Sequence, residues 1–503
     1  MTEQEALLLS AEGTAPGSLR QSTARDVARL LAAPDSKVMH ADTEPLTVVD
    51  PATAASLGVV ADMGASGVDQ AVARARKAQE HWGQRSPRER SETLLELATK
   101  LETNLSRLAA IEALDVGKPL AATPPEIISA IDKLRFFAGA CRILSGAAAG
   151  EYRAPYTSYV RREPVGVVGA LAPWNYPFAL TMWKIAPALA AGNTVVLKPS
   201  PETPLSALAL EEIASDVLPD GVLTVVTGGA GTGERLVRHP DVPMISLTGG
   251  TATGRRVMAA AADSLKRLQL ELGGNAPVLV FEDADLEALA AAVPMATFRN
   301  SGQDCHAASR MYVHHSVRND LISAVSEAAA RIKVGDNFDQ ATTMGPLVSA
   351  GQRRRVEGLV EQTLTSGQAE VAFTGPRGPG LGDGYYVTPM VLADAAQDSP
   401  IVQEEVFGPV ISVTSFRQEE EVVGYANGVA QGLGASVWTS DVDRALRVSH
   451  RLKVGTVWVN GHGATIAEMP FGGVKDSGFG RDLSIYALEE YTELKHVAIR
   501  VKS

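Results

Sequence analysis

The chain reads as an α/β protein built on a Rossmann-like parallel sheet, and three observations predict this. Short buried-strand runs alternate with helical stretches from Val165 onward, and the alternation begins afresh after Gly274. Strands alternating with helices indicate parallel βαβ units. The third observation is a half-exposed alternation at the C-terminus, LKHVAIRVKS, which predicts a small separate antiparallel sheet with a hairpin from EYRAPYTSYVRREP (151–164).

Taken in order, residues 1–40 are rich in Ala, Ser and Glu without a sustained pattern and are expected to be a partly ordered N-terminal extension. VDQAVARARKAQEHW and RSETLLELATKLETNLSRLAAIEAL carry helical periodicity from Val68 to Leu114. VGVVGAL is a buried-strand run, WKIAPALAAG a helix ended by Gly192, NTVVLKP a strand and LSALALEEIASDVL a helix. VLTVVTG and MISLTG are further strands, the second leading into a helix near Thr251. APVLVF, DLEALAAAV and SRMYVHH start the second α/β unit.

A length of 503 residues suggests two or three domains, and 45% apolar residues with 5% aromatics suit a soluble α/β enzyme. A net charge of −12 argues against nucleic acid as a partner. Glu3 and Glu5 stand where an export signal needs positive charge. The longest apolar region is broken by Pro173, Asn175, Pro177, Lys184 and Pro187, so no membrane span is expected. Cys141 and Cys305 are the only cysteines, which excludes a disulfide framework and makes the cytoplasm the expected setting.

Cys305 lies in the polar stretch NSGQDCHAASR, a loop or helix start where backbone N–H groups can favour a thiolate. A thiolate that processes a carbonyl compound needs a base, an oxyanion hole and an acceptor for electrons or a leaving group. Glu271 in LELGGNAP is a candidate base, in a turn between apolar strands. Asn175 in APWNYPFAL sits in a rigid apolar setting where a side-chain amide is costly without partners. No residue pattern suggests a metal site, and Cys141 in GACRIL reads as packing.

PWNYP, LKPS, LTGGTATG, LELGG, GQDC and EEVFGPV occur in this order and together resemble the aldehyde dehydrogenase superfamily, from about residue 48 to the end. The resemblance implies that family's fold: an NAD-binding domain (41–150 and 164–273), a catalytic domain (274–470) and an oligomerisation sheet (151–163 and 484–503) that forms a homodimer or homotetramer. It implies Cys305 as nucleophile, the Asn175 amide and Cys305 N–H as oxyanion donors, and Glu271 as the base that activates water. Lys198 and Ser200, with Ala172, Pro173, Trp174, Gly229, Thr248, Gly249, Gly250, Leu272, Glu405 and Phe407, would hold NAD. GAGTG (229–233) alone is weak evidence for a dinucleotide site.

Three departures stand out. Pro201 replaces an acidic residue common in NAD-preferring members, which leaves NADP open; Gly250 replaces a serine; and Asp482 stands where a glutamate often packs near the base. RFFAGA, AAGEY, NSGQDC and AEMPFGG resemble bacterial aminobutyraldehyde dehydrogenases, related to the betaine aldehyde enzymes. That resemblance implies an aminoaldehyde such as 4-aminobutanal. Tyr176, Trp183 and Phe471 would contact the substrate, and Glu126 would meet its ammonium group at the tunnel mouth. The first alternative is an aldehyde dehydrogenase for another aldehyde, such as betaine aldehyde, a semialdehyde or a broad range of aliphatic aldehydes; behind it stand a CoA-acylating dehydrogenase, which would lack Glu271, and a non-catalytic relative, which would lack one of the three catalytic candidates.

Overall fold

The computed structural model describes residues 16–32, 44–144, 146, 148–378 and 380–501. Two sheets dominate it. In the first, the strands run Gly478–Phe479, Arg267–Glu271, Met244–Thr248, Val167–Leu171, Thr194–Lys198, Leu223–Val225, with all but the two-residue edge strand parallel. The chain enters at Val167–Leu171, moves outward on one side and returns to the other through Met244–Thr248. The strand order therefore reverses between these two, and the crevice beyond their carboxyl ends is where an open parallel sheet binds ligands.

The second sheet has seven strands, in the order Glu370–Thr374, Met390–Ala393, Val410–Phe416, Arg310–His314, Pro277–Val280, Gly434–Trp438, Thr456–Val459, of which only the first pairs antiparallel. Residues 272–276 carry the chain from the carboxyl end of one sheet to the amino end of the other. The site lies at this junction. The strands named from the sequence between Val167 and His314 fall where the alternating pattern predicts them, because fully buried parallel strands read as short apolar runs. The helix Ala230–Arg238 is not among the predicted elements, and Glu271, expected in a turn, closes the strand Arg267–Glu271.

The helices follow local signals too. Pro87–Thr103 begins with a capping box between Ser86 and Glu89 and has proline in its first turn, and its Leu94, Leu97 and Leu101 enter the core. Gly64–Trp82 and Leu105–Val116 account for the rest of the periodic stretch.

One expectation is made specific and one is corrected. Within the N-terminal extension, Pro16–Leu31 is a helix whose Val27, Leu30 and Leu31 are buried in the main core, while Arg20 pairs with Asp50 and Asp336. Its apolar residues are spaced for one face but diluted by Ser, Thr and Arg, which hides the pattern. Residues 1–15 and 33–40 of that extension lie outside the described residues. At the other end, residues 484–490 are not sheet but the helix Ser484–Glu490. The strand is Thr492–Arg500, paired along its length with Tyr156–Pro164 of the same chain, which also pairs with Gly150–Arg153. Among the described residues no helix is long and apolar enough to cross a membrane.

Candidate active site

Cys305 occupies a turn just before Arg310–His314. The loop ahead of it is held in an uncommon conformation: Asn300, Ser301 and Gly302 all have positive φ, at 48°, 57° and 73°. Such backbone costs energy and persists only where its surroundings fix it. Here Asn300 Nδ2 donates to the Asn175 carbonyl at 2.8 Å, Ser301 Oγ to the Gly345 carbonyl at 2.8 Å, and Gln303 Oε1 accepts from Val348 N–H at 2.9 Å. A side chain at Gly302 would strike the Gly408 carbonyl, and one at Gly274 the Cys305 carbonyl. The thiol is thus placed by a rigid frame.

Two spaces meet at the half-buried Cys305. On one side a cleft of about 430 Å³ is lined by Pro173, Trp174, Asn175, Thr248, Gly249, Gly250, Glu271, Leu272, Glu405 and Phe407, among others. This is the crevice at the reversal of strand order. The helix Thr251–Ala262 opens onto it from Gly250 with no side-chain cap; Thr253 and Gly254 N–H donate to the Gly250 carbonyl, which leaves the N–H groups of Thr251 and Ala252 for a ligand. Thr248 Oγ1 has no partner, Gly250 has open space where a Cβ would stand, and Trp174 meets Phe407 edge to face at 5.1 Å. A helix start, an orphan hydroxyl and paired aromatics fit a dinucleotide with an anionic pyrophosphate and flat rings.

On the other side lies an apolar cluster of Tyr176, Leu180, Trp183, Leu433, Phe471 and Leu483, with Trp458 and Cys305 at its edge. Trp183 and Phe471 pack edge to face at 5.4 Å. A larger groove of about 570 Å³ on the three-stranded sheet, lined by Tyr152, Tyr156 and His496, shares no residue with either space.

Glu271 ends its strand, is buried, and neither carboxylate oxygen has a hydrogen-bond partner. Burial pushes its carboxyl well above the usual range, and the charge of Asp482 adds to this. A side chain at Gly472 would strike it. Asn175 is buried and donates through Nδ2 to the Gln303 carbonyl at 3.1 Å, leaving its second N–H for a ligand. Burial likewise raises the Cys305 thiol well above its ordinary value, with Asp304, Glu405 and Glu271 reinforcing the shift. The backbone N–H at Cys305 acts in the direction expected from the sequence, but burial and the neighbouring acids outweigh it. Glu405 accepts from Gly274 N–H at 2.8 Å and is pushed up by burial to about 7.

Asp482 does not touch Glu271. It forms a buried pair with Lys184 at 2.8 Å and accepts from Gln269 at 2.6 Å, acting on Glu271 through its field. Lys198 is buried, donates to the Pro199 carbonyl at 2.9 Å, and is lowered by burial to about 8, with Asp62 opposing. Ala172 N–H donates to the Lys198 carbonyl at 3.1 Å, and Ser200 lies two residues beyond the end of the strand Thr194–Lys198; neither is among the residues that line the cleft. Gly229 precedes the helix Ala230–Arg238 as its N-cap and gives its N–H to Asp62 at 3.1 Å; like Lys198 it is not among the residues that line the cleft.

Glu126 is corrected as well. It is buried rather than at an open mouth, 2.6 Å from Lys118 and 3.7 Å from Arg299, and Lys118 is shared with Glu112 at 3.1 Å. The same two cations cover the Tyr176 ring, at 4.1 Å and 5.2 Å, so that face is taken. The resemblance places Glu126 at the tunnel mouth, and nothing local in the sequence announces its partner Lys118, eight residues back. His306 and Trp458 were also missed. The only signal was adjacency: His306 follows Cys305, and Trp458 lies on an edge strand.

The aldehyde dehydrogenase family matches residues 38–497, and the chain belongs to that family. Among solved structures, HpcC from Thermus thermophilus is 38% identical with a TM-score of 0.91, covering 96% of each chain. An NAD+ complex of aldehyde dehydrogenase from Bacillus cereus is 39% identical at a TM-score of 0.88, covering 91% of this chain and 94% of that one. A betaine aldehyde dehydrogenase point mutant from Staphylococcus aureus, in complex with NAD+, is 34% identical at 0.89, covering 92% and 94%.

Proposed function

We propose that the protein oxidises an aldehyde to its carboxylic acid through a covalent thioester on Cys305. The observation that carries this is the position of Cys305 between an anion-ready cleft and a cluster of apolar side chains, with an unpartnered buried glutamate lining the cleft. Cys305 attacks the carbonyl carbon, and the oxyanion is held by the free Asn175 N–H and the Cys305 N–H. One such donor is worth about 10²- to 10³-fold in rate. NAD, bound in the cleft, supplies the hydride acceptor. Glu271 then takes a proton from water, which opens the thioester and frees the acid.

The B. cereus complex, 39% identical, supports NAD as the cofactor. Pro173, Trp174, Thr248, Gly249, Gly250, Leu272, Glu405 and Phe407 would line its site, with Lys198, Ser200, Ala172 and Gly229, outside that lining, assigned by the resemblance alone. Pro201 leaves no acid three residues after Lys198 to repel a 2′-phosphate, so NADP is the alternative. The domain boundaries drawn from the sequence are kept in this reading, with the helix Ser484–Glu490 taken out of the oligomerisation sheet.

The aminoaldehyde reading rests on the motif resemblance and on the betaine aldehyde relative. Trp183, Phe471 and Trp458 would contact the alkyl chain, while Glu126, already paired, is dropped as the ammonium ligand. Dimerisation is supported by Leu494 and Ile499, exposed at 66% and 50% on the C-terminal strand.

Cys305→Ala is expected to leave cofactor binding intact and to cut turnover below about one percent of wild type, since the thiol forms the intermediate but does not hold NAD. Higher residual turnover would remove the nucleophile. A panel of 4-aminobutanal, betaine aldehyde, butanal and succinate semialdehyde with both cofactors, scored for free acid against acyl-CoA, tests the finer reading.

A further inference from the structure

Three consecutive side chains converge at the nucleophile. His306 Nδ1 lies 2.9 Å from Asp304 Oδ1 and 3.6 Å from Cys305 Sγ. Two acceptors at one ring nitrogen decide the tautomer: beside a carboxylate oxygen at 2.9 Å, Nδ1 carries the proton. The sulfur then faces an N–H donor. Asp304 is itself fixed, since Oδ2 accepts from the Tyr176 hydroxyl at 2.7 Å and Oδ1 from His306 N–H at 3.1 Å. The imidazole is held between Trp458 and Phe471, each 5.6 Å away, and the His306 carbonyl contacts His462 Nε2 at 2.6 Å. The ligand atoms of all three lie within 4.8 Å, a spacing these hydrogen bonds account for.

We propose that His306, with its tautomer fixed by Asp304, donates a hydrogen bond through Nδ1 to the Cys305 thiolate and so makes the nucleophile available. This rests on the reading of Cys305 as nucleophile. It answers a difficulty of that site, where burial and three acids all oppose ionisation of the thiol. Around Cys305 the charged groups are Asp304, Glu405 and Glu271; around His306 they are Asp304 and His462, with Arg299 acting on Asp304. Burial holds His462 down at about 4, so it stays neutral at working pH and does not compete. Among the described side chains, the hydrogen-bond contact of the sulfur is with His306 Nδ1.

A hydrogen bond to a charged acceptor is worth about ten- to hundredfold in such an ionisation. Reaction rates change less, because a thiolate of lower pKa is intrinsically less nucleophilic, with a Brønsted slope of about 0.4–0.5. The alkylation rate at about pH 7 is therefore expected to fall roughly three- to tenfold when the donor is lost. The test is the rate of iodoacetamide alkylation of the full-length protein against pH, for wild type, His306→Leu and His306→Asn. Asn keeps an N–H at a reach close to that of Nδ1. Cys305→Ala reports any labelling of the buried Cys141, and a thermal melt of each variant reports folding.

The expected result is slower alkylation in His306→Leu, with its inflection moved to higher pH, and recovery in His306→Asn. The acylation burst should slow in the same order while the later steady phase changes less. If the Leu variant alkylates as fast as wild type, or if Leu and Asn variants slow equally with unchanged melts, the donor role is wrong. That failure is separate from the parent reading, which falls only if Cys305→Ala retains turnover.

Discussion

Two buried glutamates of this protein sit in opposite circumstances. Glu126 is met by Lys118 at 2.6 Å and Arg299 at 3.7 Å, beneath a tyrosine ring that both cations cover. Glu271 has no hydrogen-bond partner on either oxygen, and the charge that acts on it most strongly, that of Asp482, is repulsive. Buried polar groups in folded proteins are almost always satisfied, so an exception asks for an explanation. The satisfied acid holds structure together; the orphan one is left free for a proton. Residue type and burial are the same, and only the neighbours divide the roles.

The largest effect should come from breaking the satisfied region. Glu126→Gln leaves Lys118 with Glu112 alone and Arg299 without its partner, and truncating one member of a buried pair costs about 3–5 kcal/mol. Denaturant unfolding should show that loss, with butanal and 4-aminobutanal turnover falling together. A selective loss for the aminoaldehyde would return Glu126 to the substrate.

A smaller effect should sharpen the orphan region. A protonated Glu271 cannot take a proton from water, so deacylation should rise with pH through its raised pKa. Asp482→Asn removes the negative charge that helps hold it up, and the limb should move to lower pH. A shift to higher pH would mean that Asp482 acts on the base by packing rather than by its field. The smallest effect is expected at Cys141, buried with Sγ against the Pro87 and Ala138 carbonyls. Cys141→Ala should stay fully active, and a loss of turnover would move it out of the packing class.

The same contrast explains what the sequence made legible. Parallel strands declared themselves because burial on both faces writes them as apolar runs, and the roles of Cys305, Glu271 and Asn175 became legible only through the six ordered motifs that resemble the aldehyde dehydrogenase superfamily. Glu126 misled because its partners, Lys118 and Arg299, lie eight and 173 residues away and meet it only in the fold. His306 was in plain view but had no meaning until Asp304 and the sulfur were seen at one nitrogen. The helix Pro16–Leu31 was hidden by its polar dilution, and its role appears only from Val27, Leu30 and Leu31 in the core.

The central claim is that Glu271 is the unpartnered base of the second half-reaction, and stopped-flow NADH formation by Glu271→Gln tests it most directly. An amide cannot accept the proton of water, while attack by Cys305 does not need it. The account predicts a burst of one NADH per site at close to the wild-type rate, followed by a steady phase slowed by about 10²-fold or more. Equal slowing of both phases would contradict it.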